Sequence, residues 1–397
     1  MSDRAYLDHA ATTPMIPAAR EAWIAQSEHV GNPSSLHASG RRARRVIEES
    51  RESIAAALDV RPSAVVFTAG GTEADNLAVK GLFWARRRSV GASRVLASAI
   101  EHHAVLDPVL WLQEAQGADV DWLPVDALGR VSLADIERAL ARPDEVALVT
   151  VMWANNEIGT VQPVAQIAAA CRAAGVPFHT DAVQALGHLP MDLGALGADA
   201  VTISSHKIGG PFGVGALVID PLAEVVPVLH GGGQEREVRS GTLDAPGIAA
   251  FAVAVAHAVQ GQSARSAQLL ALRQRLIDGV RAVVPDAVLN GDPGVDDSER
   301  LPGNVHLTFP GCEGDLLLML LDAAGVDCST GSACTAGIPE PSHVLMATGV
   351  AESGARSSLR FSLGESSTSD DVDAVIAALP GAVDRARRAG SLAPRTG

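Results

Sequence analysis

Basic charge is scarce in this chain, and so are cysteines and long apolar runs. Each shortage removes a class of function. Lys and Arg total 31 against 46 Asp and Glu, a net charge of -15. No basic face is therefore expected to neutralise phosphates, which excludes a sequence-independent nucleic-acid binder. The runs Arg41-Arg42-Ala43-Arg44-Arg45 and Arg86-Arg87-Arg88 read as solvated helix faces rather than a docking patch for an acidic partner. The longest charge-free run, residues 245–264, is interrupted by Pro246, Gly247, His257 and the Gln-Gly-Gln-Ser stretch, and no apolar segment precedes Tyr6. Neither a transmembrane helix nor a signal peptide is expected. Four cysteines in 397 residues do not make a disulfide framework, and a reducing cytoplasm is the natural compartment.

What is present is a folded composition. Hydrophobic residues make up 47% and charged residues 19%, and the length suits two or three packed units. Strand candidates are Ala64–Phe67, Arg94–Ala99, Val146–Val151, Val176–His179, Ala200–Ile203 and Gly215–Ile219. Helical patterns near Glu73–Trp84, Ala104–Glu114, Leu133–Ala141 and Val164–Ala174 alternate with them. Such alternation predicts an α/β fold, a mostly parallel sheet covered by helices on both faces. An Ala- and Leu-rich helical stretch at Pro246–Val284, interrupted at Gln260–Ser263, marks a boundary. A smaller α+β unit follows, with strands at Asn304–Phe309 and Leu359–Ser362 and helices at Glu313–Ala324 and from Ser369; residues after Ser391 read as a frayed tail. The expected division is a large domain over 15–258 and a small domain from 1–14 and 259–397.

Chemistry concentrates in the run Val201-Thr-Ile-Ser-Ser-His-Lys-Ile-Gly-Gly-Pro. Lys207 follows a β-branched strand, sits among hydroxyls and precedes glycines. That is a poor place for a solvated charge and a good one for a Schiff base. The aldehyde implied is pyridoxal phosphate, whose ring nitrogen needs a carboxylate partner to act as an electron sink. Asp181, 26 residues upstream at the end of a neighbouring strand pattern, can be that partner. Alone, Lys207 reads as a surface charge and Asp181 as a turn or cap. The run Val65-Val-Phe-Thr-Ala-Gly-Gly-Thr-Glu shifts the balance. It is a strand, a glycine turn and a helix start, where free N–H groups and the helix dipole receive an anion. Thr72, Ser204 and His206 add donors. The run is neither a Walker loop nor G-x-G-x-x-G, so no nucleotide is indicated.

Among the cysteines, Cys171 lies in a helical pattern and reads as a small buried apolar residue. Cys312 is a turn thiol without evident chemistry, and Cys328 ends an apolar strand and reads as structural. Cys334, in Ser329-Thr-Gly-Ser-Ala-Cys-Thr-Ala-Gly-Ile-Pro, lies in a small-residue loop suited to carry a thiol into and out of a site. An unremarkable loop cysteine is the alternative.

Taken in order, these segments resemble the pyridoxal-phosphate-dependent cysteine desulfurases of the iron–sulfur-cluster type, within the class V aminotransferase group. The matching motifs open with Tyr6-Leu-Asp-His-Ala-Ala-Thr-Thr-Pro and Gly31-Asn-Pro-Ser-Ser-Leu-His. They continue through Phe67-Thr-Ala-Gly-Gly-Thr-Glu, Glu101-His-His-Ala-Val-Leu, Asn155-Asn-Glu-Ile-Gly-Thr, Asp181-Ala-Val-Gln and Ser204-Ser-His-Lys. The last are Gly231-Gly-Gly-Gln-Glu-Arg through Arg239-Ser-Gly-Thr, Gly331-Ser-Ala-Cys and Arg360-Phe-Ser-Leu-Gly. The Gly-Ser-Ala-Cys form points to the first of the family's two groups.

The resemblance implies a homodimer of fold type I with active sites at the interface. Lys207 would be the Schiff-base lysine and Asp181 the partner of the pyridine nitrogen. Gln184 and Asn156 would bond the phenolic oxygen. Gly71, Thr72, Ser204 and His206 would hold the phosphate, joined by Thr242 from the second subunit. His102 would stack on the ring and move protons, and Asn32 and Arg360 would grip the substrate carboxylate, a task suited to a guanidinium fork. Cys334 would be the nucleophile that takes sulfur from L-cysteine, leaving L-alanine, and passes it to an iron–sulfur scaffold or other acceptor protein. No metal site is implied beyond an open question, whether Cys334 transiently ligates an iron–sulfur cluster. Gly71 stands where the family commonly has alanine, and Cys328 lies six residues before the nucleophile, close enough in sequence to allow an internal disulfide. A selenocysteine lyase or other class V enzyme, and a non-catalytic partner-binding subunit, are the competing readings.

Overall fold

The computed structural model describes residues 4–294, 298–331 and 341–392. Strand β1 (Ala5–Tyr6) comes first, and a central sheet follows. Its strands are β2 (Val65–Thr68), β3 (Arg94–Ser98), β4 (Asp119–Leu123), β5 (Val146–Thr150), β6 (Phe178–Asp181), β7 (Ala200–Ser204) and β8 (Gly215–Ile219). They lie in the order β2-β8-β7-β6-β5-β3-β4, and β8 alone runs against its neighbours. The expected mostly parallel, doubly covered sheet is what the chain forms.

The pleat sorts the side chains. Val65 and Phe67 join the core under helices Pro17–Ser27, Ala38–Ala57, Val164–Ala174 and Ala245–Gln260. Val66, Val95 and Ala97 join the opposite core under helices Gly71–Val90 and His103–Gln116. Burial on both faces explains the unbroken apolar character of β5 and β8.

Two strand expectations need correction. Residues 119–123 were not expected to pair, yet they form β4, the edge of the sheet; its two aspartates suit a half-exposed edge and mask the pattern. The strand expected at Val176–His179 begins at Phe178 instead. Val176 is still bonded to Cys171 of the preceding helix, and Pro177 has no N–H to give the ladder.

A second apolar cluster gathers around β9 (Val288–Leu289), β10 (Asn304–Thr308) and β12 (Ser358–Ser362), an antiparallel set in the order β12-β10-β9. Helices Gln262–Val283, Gly314–Ala323 and Ser369–Leu392 cover it. Strand β1 pairs in parallel with β11 (Val326–Asp327), so Ala5 and Leu7 pack with this cluster. The long helical stretch breaks at Gly261. The tail expected after Ser391 falls at 393–397, outside the described residues; the terminal helix itself runs to Leu392.

One buried ion pair pins segment 231–242 to the sheet. Glu235 is fully buried and takes the Arg51 fork at 2.7 and 2.8 Å and the Phe67 N–H at 2.9 Å. Glu235→Ala would leave Arg51 buried with only the half-exposed Glu48 carboxylate and the Val65 carbonyl as partners, so a loss of about 3 kcal/mol is expected in urea denaturation. A change below about 1 kcal/mol, the range of an exposed pair, would contradict this account.

Candidate active site

The carboxyl ends of β5, β6 and β7 open onto one cavity of about 420 Å³, the usual place for a ligand in an open α/β sheet. Gly71, Thr72, Ser204 and His206 line one end. Asp181, Gln184, Lys207, His102 and Asn156 form the walls, and Arg360 reaches in from β12. These ten residues are the sequence candidates that the fold brings together.

Lys207 projects from the turn after β7, and its Nζ donates to the carbonyls of Ala10 and Ala11 at 2.6 and 2.8 Å. Burial, helped by Arg360, holds its ammonium down at about 8. Asp181, at the end of β6, accepts the Val183 N–H at 2.8 Å. Burial and neighbouring Asp75 push its carboxyl up to about 8. Two further acids lie close by: Asp75, pushed up to about 7 by burial, and Glu101, raised well above the carboxylate range by burial. Neither was singled out in the sequence. Asp75 is one more acid in a helical run, and Glu101 precedes the His-His pair that drew notice.

His102 caps helix His103–Gln116, its Nδ1 accepting the Ala104 N–H at 3.1 Å. The proton of the neutral ring is thereby assigned to Nε2. Burial and Lys207 keep the ring neutral, with a pKa of about 4. His206 is likewise held at about 4 by burial and Lys207; its ring stacks on Phe212 at 5.2 Å. Gln184 donates to the Ala10 carbonyl at 2.9 Å. Arg360 donates to Asp8 at 2.8 Å and to the Asn156 carbonyl at 2.9 Å. Its buried Nε has no partner among the described residues.

The glycine turn has the shape of a cradle. Gly70 has φ +138, and a Cβ on Gly71 would meet Val183 Cγ2 at 3.1 Å and Ser204 Cβ at 3.5 Å. An alanine there would crowd Val183, so glycine leaves extra room. With the helix Gly71–Val90 opening at this point, the turn offers N–H groups to an anion. The donor set, the lysine amine and the buried carboxyl fit pyridoxal phosphate.

Two candidates lie elsewhere. Asn32 and Thr242 are exposed and do not line the cavity. Thr242 borders a separate, smaller pocket of about 130 Å³ beside Gly31 and Pro33 instead. Cys334 lies outside the described residues. Cys328, just after β11, is half-buried; burial and Asp8 push its thiol up to about 12, so it is no thiolate near neutral pH. Among the described residues no cluster suited to a metal ion occurs, and no helix is long and apolar enough to cross a membrane.

Residues 5–375 match the family pattern described as "Aminotransferase class-V". The chain belongs to the class V aminotransferase family. Within that family it is 57% identical over 386 residues to the "IscS-like cysteine desulfurase" of Mycobacterium tuberculosis, covering 97% of this chain and 98% of the relative. A solved structure described as "NIFS-LIKE PROTEIN" superposes with a TM-score of 0.88 at 32% identity, covering 96% of this chain and all of the other. Another, "SspA in complex with cysteine", gives a TM-score of 0.76 at 35% identity, over 91% of this chain and 99% of its own. The expected fold type I and the pyridoxal phosphate cofactor therefore stand.

The raised Asp181 carboxyl has a testable consequence. In the apoprotein the folded state holds its proton up to about pH 8, whereas the unfolded chain releases it near the ordinary carboxyl value of 3.8. The associated stability is fully present below the unfolded value and is lost as pH rises through the folded one. Compared with Asp181→Asn apoprotein, the wild type should lose melting temperature progressively from about pH 4 and level off above about pH 8. A difference independent of pH would show that Asp181 is ionised throughout.

Proposed function

We propose that this protein is a pyridoxal-phosphate-dependent cysteine desulfurase that makes L-alanine from L-cysteine and holds the sulfur as a persulfide on Cys334. The observation that carries this reading is the convergence of Lys207, Asp181 and the Gly70–Thr72 turn in one cavity faced by Arg360. Identity of 57% to an IscS-like cysteine desulfurase over 97% of the chain supports the choice of reaction, and a related structure was solved with cysteine.

Pyridoxal phosphate, when bound, supplies an aldehyde for amines and a protonated ring that withdraws electrons from the carbon beside the substrate nitrogen. Everything else falls to the chain. Asp181 is the carboxylate for the ring nitrogen, and a positive charge beside it reverses the cost of ionising it where it is buried. Gly71, Thr72, Ser204 and neutral His206 hold the phosphate. Asn156 and Gln184 face the phenolic oxygen, and His102 covers the ring and offers its Nε2 proton. Arg360, with its unpartnered Nε, receives the substrate carboxylate.

Lys207 removes the Cα proton, and its lowered pKa suits a base working near neutral pH. The Cys334 thiolate then attacks the substrate sulfur. The S–S bond forms, the Cβ–S bond breaks, and its electron pair stays with carbon. One proton completes the methyl group and Cα regains the one it lost, which gives alanine. The persulfide passes to the thiol of an acceptor protein, an iron–sulfur scaffold being the first choice. The protein works as a homodimer in the cytoplasm, with Thr242 lent to the partner's phosphate site and a small unit of 1–14 and 259–397 beside the large one.

Anaerobic incubation with cysteine, assaying alanine and sulfide, tests the reaction. Cys334→Ala should keep the bound cofactor and its colour yet form no alanine, and normal alanine production would hand the nucleophile's role to another thiol. Arg360→Lys keeps the charge but loses the fork, so a higher KM for cysteine is expected. Unchanged kinetics would remove Arg360 as the carboxylate anchor.

A further inference from the structure

Segment 231–242 touches the anion-binding turn through a second carboxylate, Glu73. This residue lies in the first turn of helix Gly71–Val90 and accepts the Ala69 N–H at 2.7 Å. It also receives Arg239, Nε to Oε1 at 2.7 Å and Nη2 to Oε2 at 3.2 Å. One carboxylate thus grips the backbone of the glycine turn and the arginine three residues before Thr242.

The arginine is not a loose arm. Its backbone N–H and carbonyl both bond to Glu235, at 3.4 and 2.9 Å, and Glu235 is locked by Arg51. Gln234 accepts the Gly241 N–H at 2.8 Å, and the Ser240 hydroxyl accepts the Gly233 N–H at 3.1 Å. Residues 233–241 are closed on themselves as a unit, anchored at Glu235 and at Glu73. Thr242 follows at once and is exposed.

We propose that Glu73 and Arg239 are a positioning pair that couples the phosphate turn of one subunit to the Thr242 it presents to the other, so that filling one cofactor site prepares its neighbour. This rests on the reading of Thr242 as a residue lent across the dimer. An anion in the turn fixes Ala69 through Thr72, and the bidentate pair passes that order to 239–241. Thr242 is then set for the partner's phosphate, and the coupling is reciprocal. A merely structural ion pair would brace the apo and holo forms alike; a positioning pair changes what the cofactor gains on binding.

The test is titration of the apoprotein with pyridoxal phosphate, followed by absorbance, together with melting of both forms. Glu73→Gln keeps an acceptor for Ala69 and drops the charge; Arg239→Lys keeps the charge and drops the fork. Wild-type uptake should be sigmoidal. Each variant should make it hyperbolic, weaken the cofactor about tenfold, and shrink the cofactor-induced rise in melting temperature. The holoprotein's melting temperature should fall further than the apoprotein's. In a Thr242→Ala background, Arg239→Lys should add little further loss, because both act on one contact. Equal destabilisation of both forms with unchanged isotherms would overturn the proposal, as would hyperbolic uptake by wild type. Thr242→Ala alone separates the two layers. If it leaves cofactor affinity unchanged, the shared site itself fails. If it weakens affinity while Arg239→Lys is fully additive to it, the shared site stands and the coupling fails.

Discussion

Burial withdraws a lysine in part and an aspartate almost wholly from water at the carboxyl ends of β6 and β7, and much of the rest answers to that withdrawal. It disfavours the charged form of each, lowering the amine to about 8 and raising the acid to about 8. The same environment makes a cationic ring beside Asp181 and an anion in the glycine turn worth more than they would be in water. The strand ends, the first helix turn and the carbonyls of Ala10 and Ala11 are the means of holding these groups in a space that tolerates few unpaired charges.

The two histidines of the pocket follow the same logic. Each is held neutral by burial and by the charge of Lys207. A neutral imidazole can give a proton at one nitrogen and accept at the other, whereas a charged one could only donate. Arg360 stays the fixed cation of the site, with Asp8 as its counterion.

Much of this was legible from local sequence, and the reason is physical. A lysine after a β-branched strand, an acid at the next strand's end and glycines before a helix are short-range patterns, because strand ends and turns are built from neighbours in the chain. What stayed hidden involves backbone acceptors and distant pairs. The carbonyls of Ala10 and Ala11 carry no side-chain signature and meet Lys207 across 197 and 196 residues. Asp75 and Glu101 were missed because their meaning comes only from burial. Strand β4 was missed because an edge needs less apolar patterning than the centre of the sheet. Asn32 and Thr242 came from the resemblance alone, and the single chain leaves them at the surface.

The parallel pairing of β1 with β11 binds the beginning of the chain to a segment more than three hundred residues later. Asp8 meets Arg360 across 352 residues, and the carbonyls that receive Lys207 belong to the same opening stretch. During synthesis residues 5–8 have no partner until residues 326–360 have left the ribosome. Domains generally fold as units from the amino end, so the sheet around Lys207 can assemble while its lysine still lacks these acceptors. The pocket therefore matures only after residue 360 has been made. A truncated product, however well its central sheet folds, lacks the contacts that close the pocket around the amine.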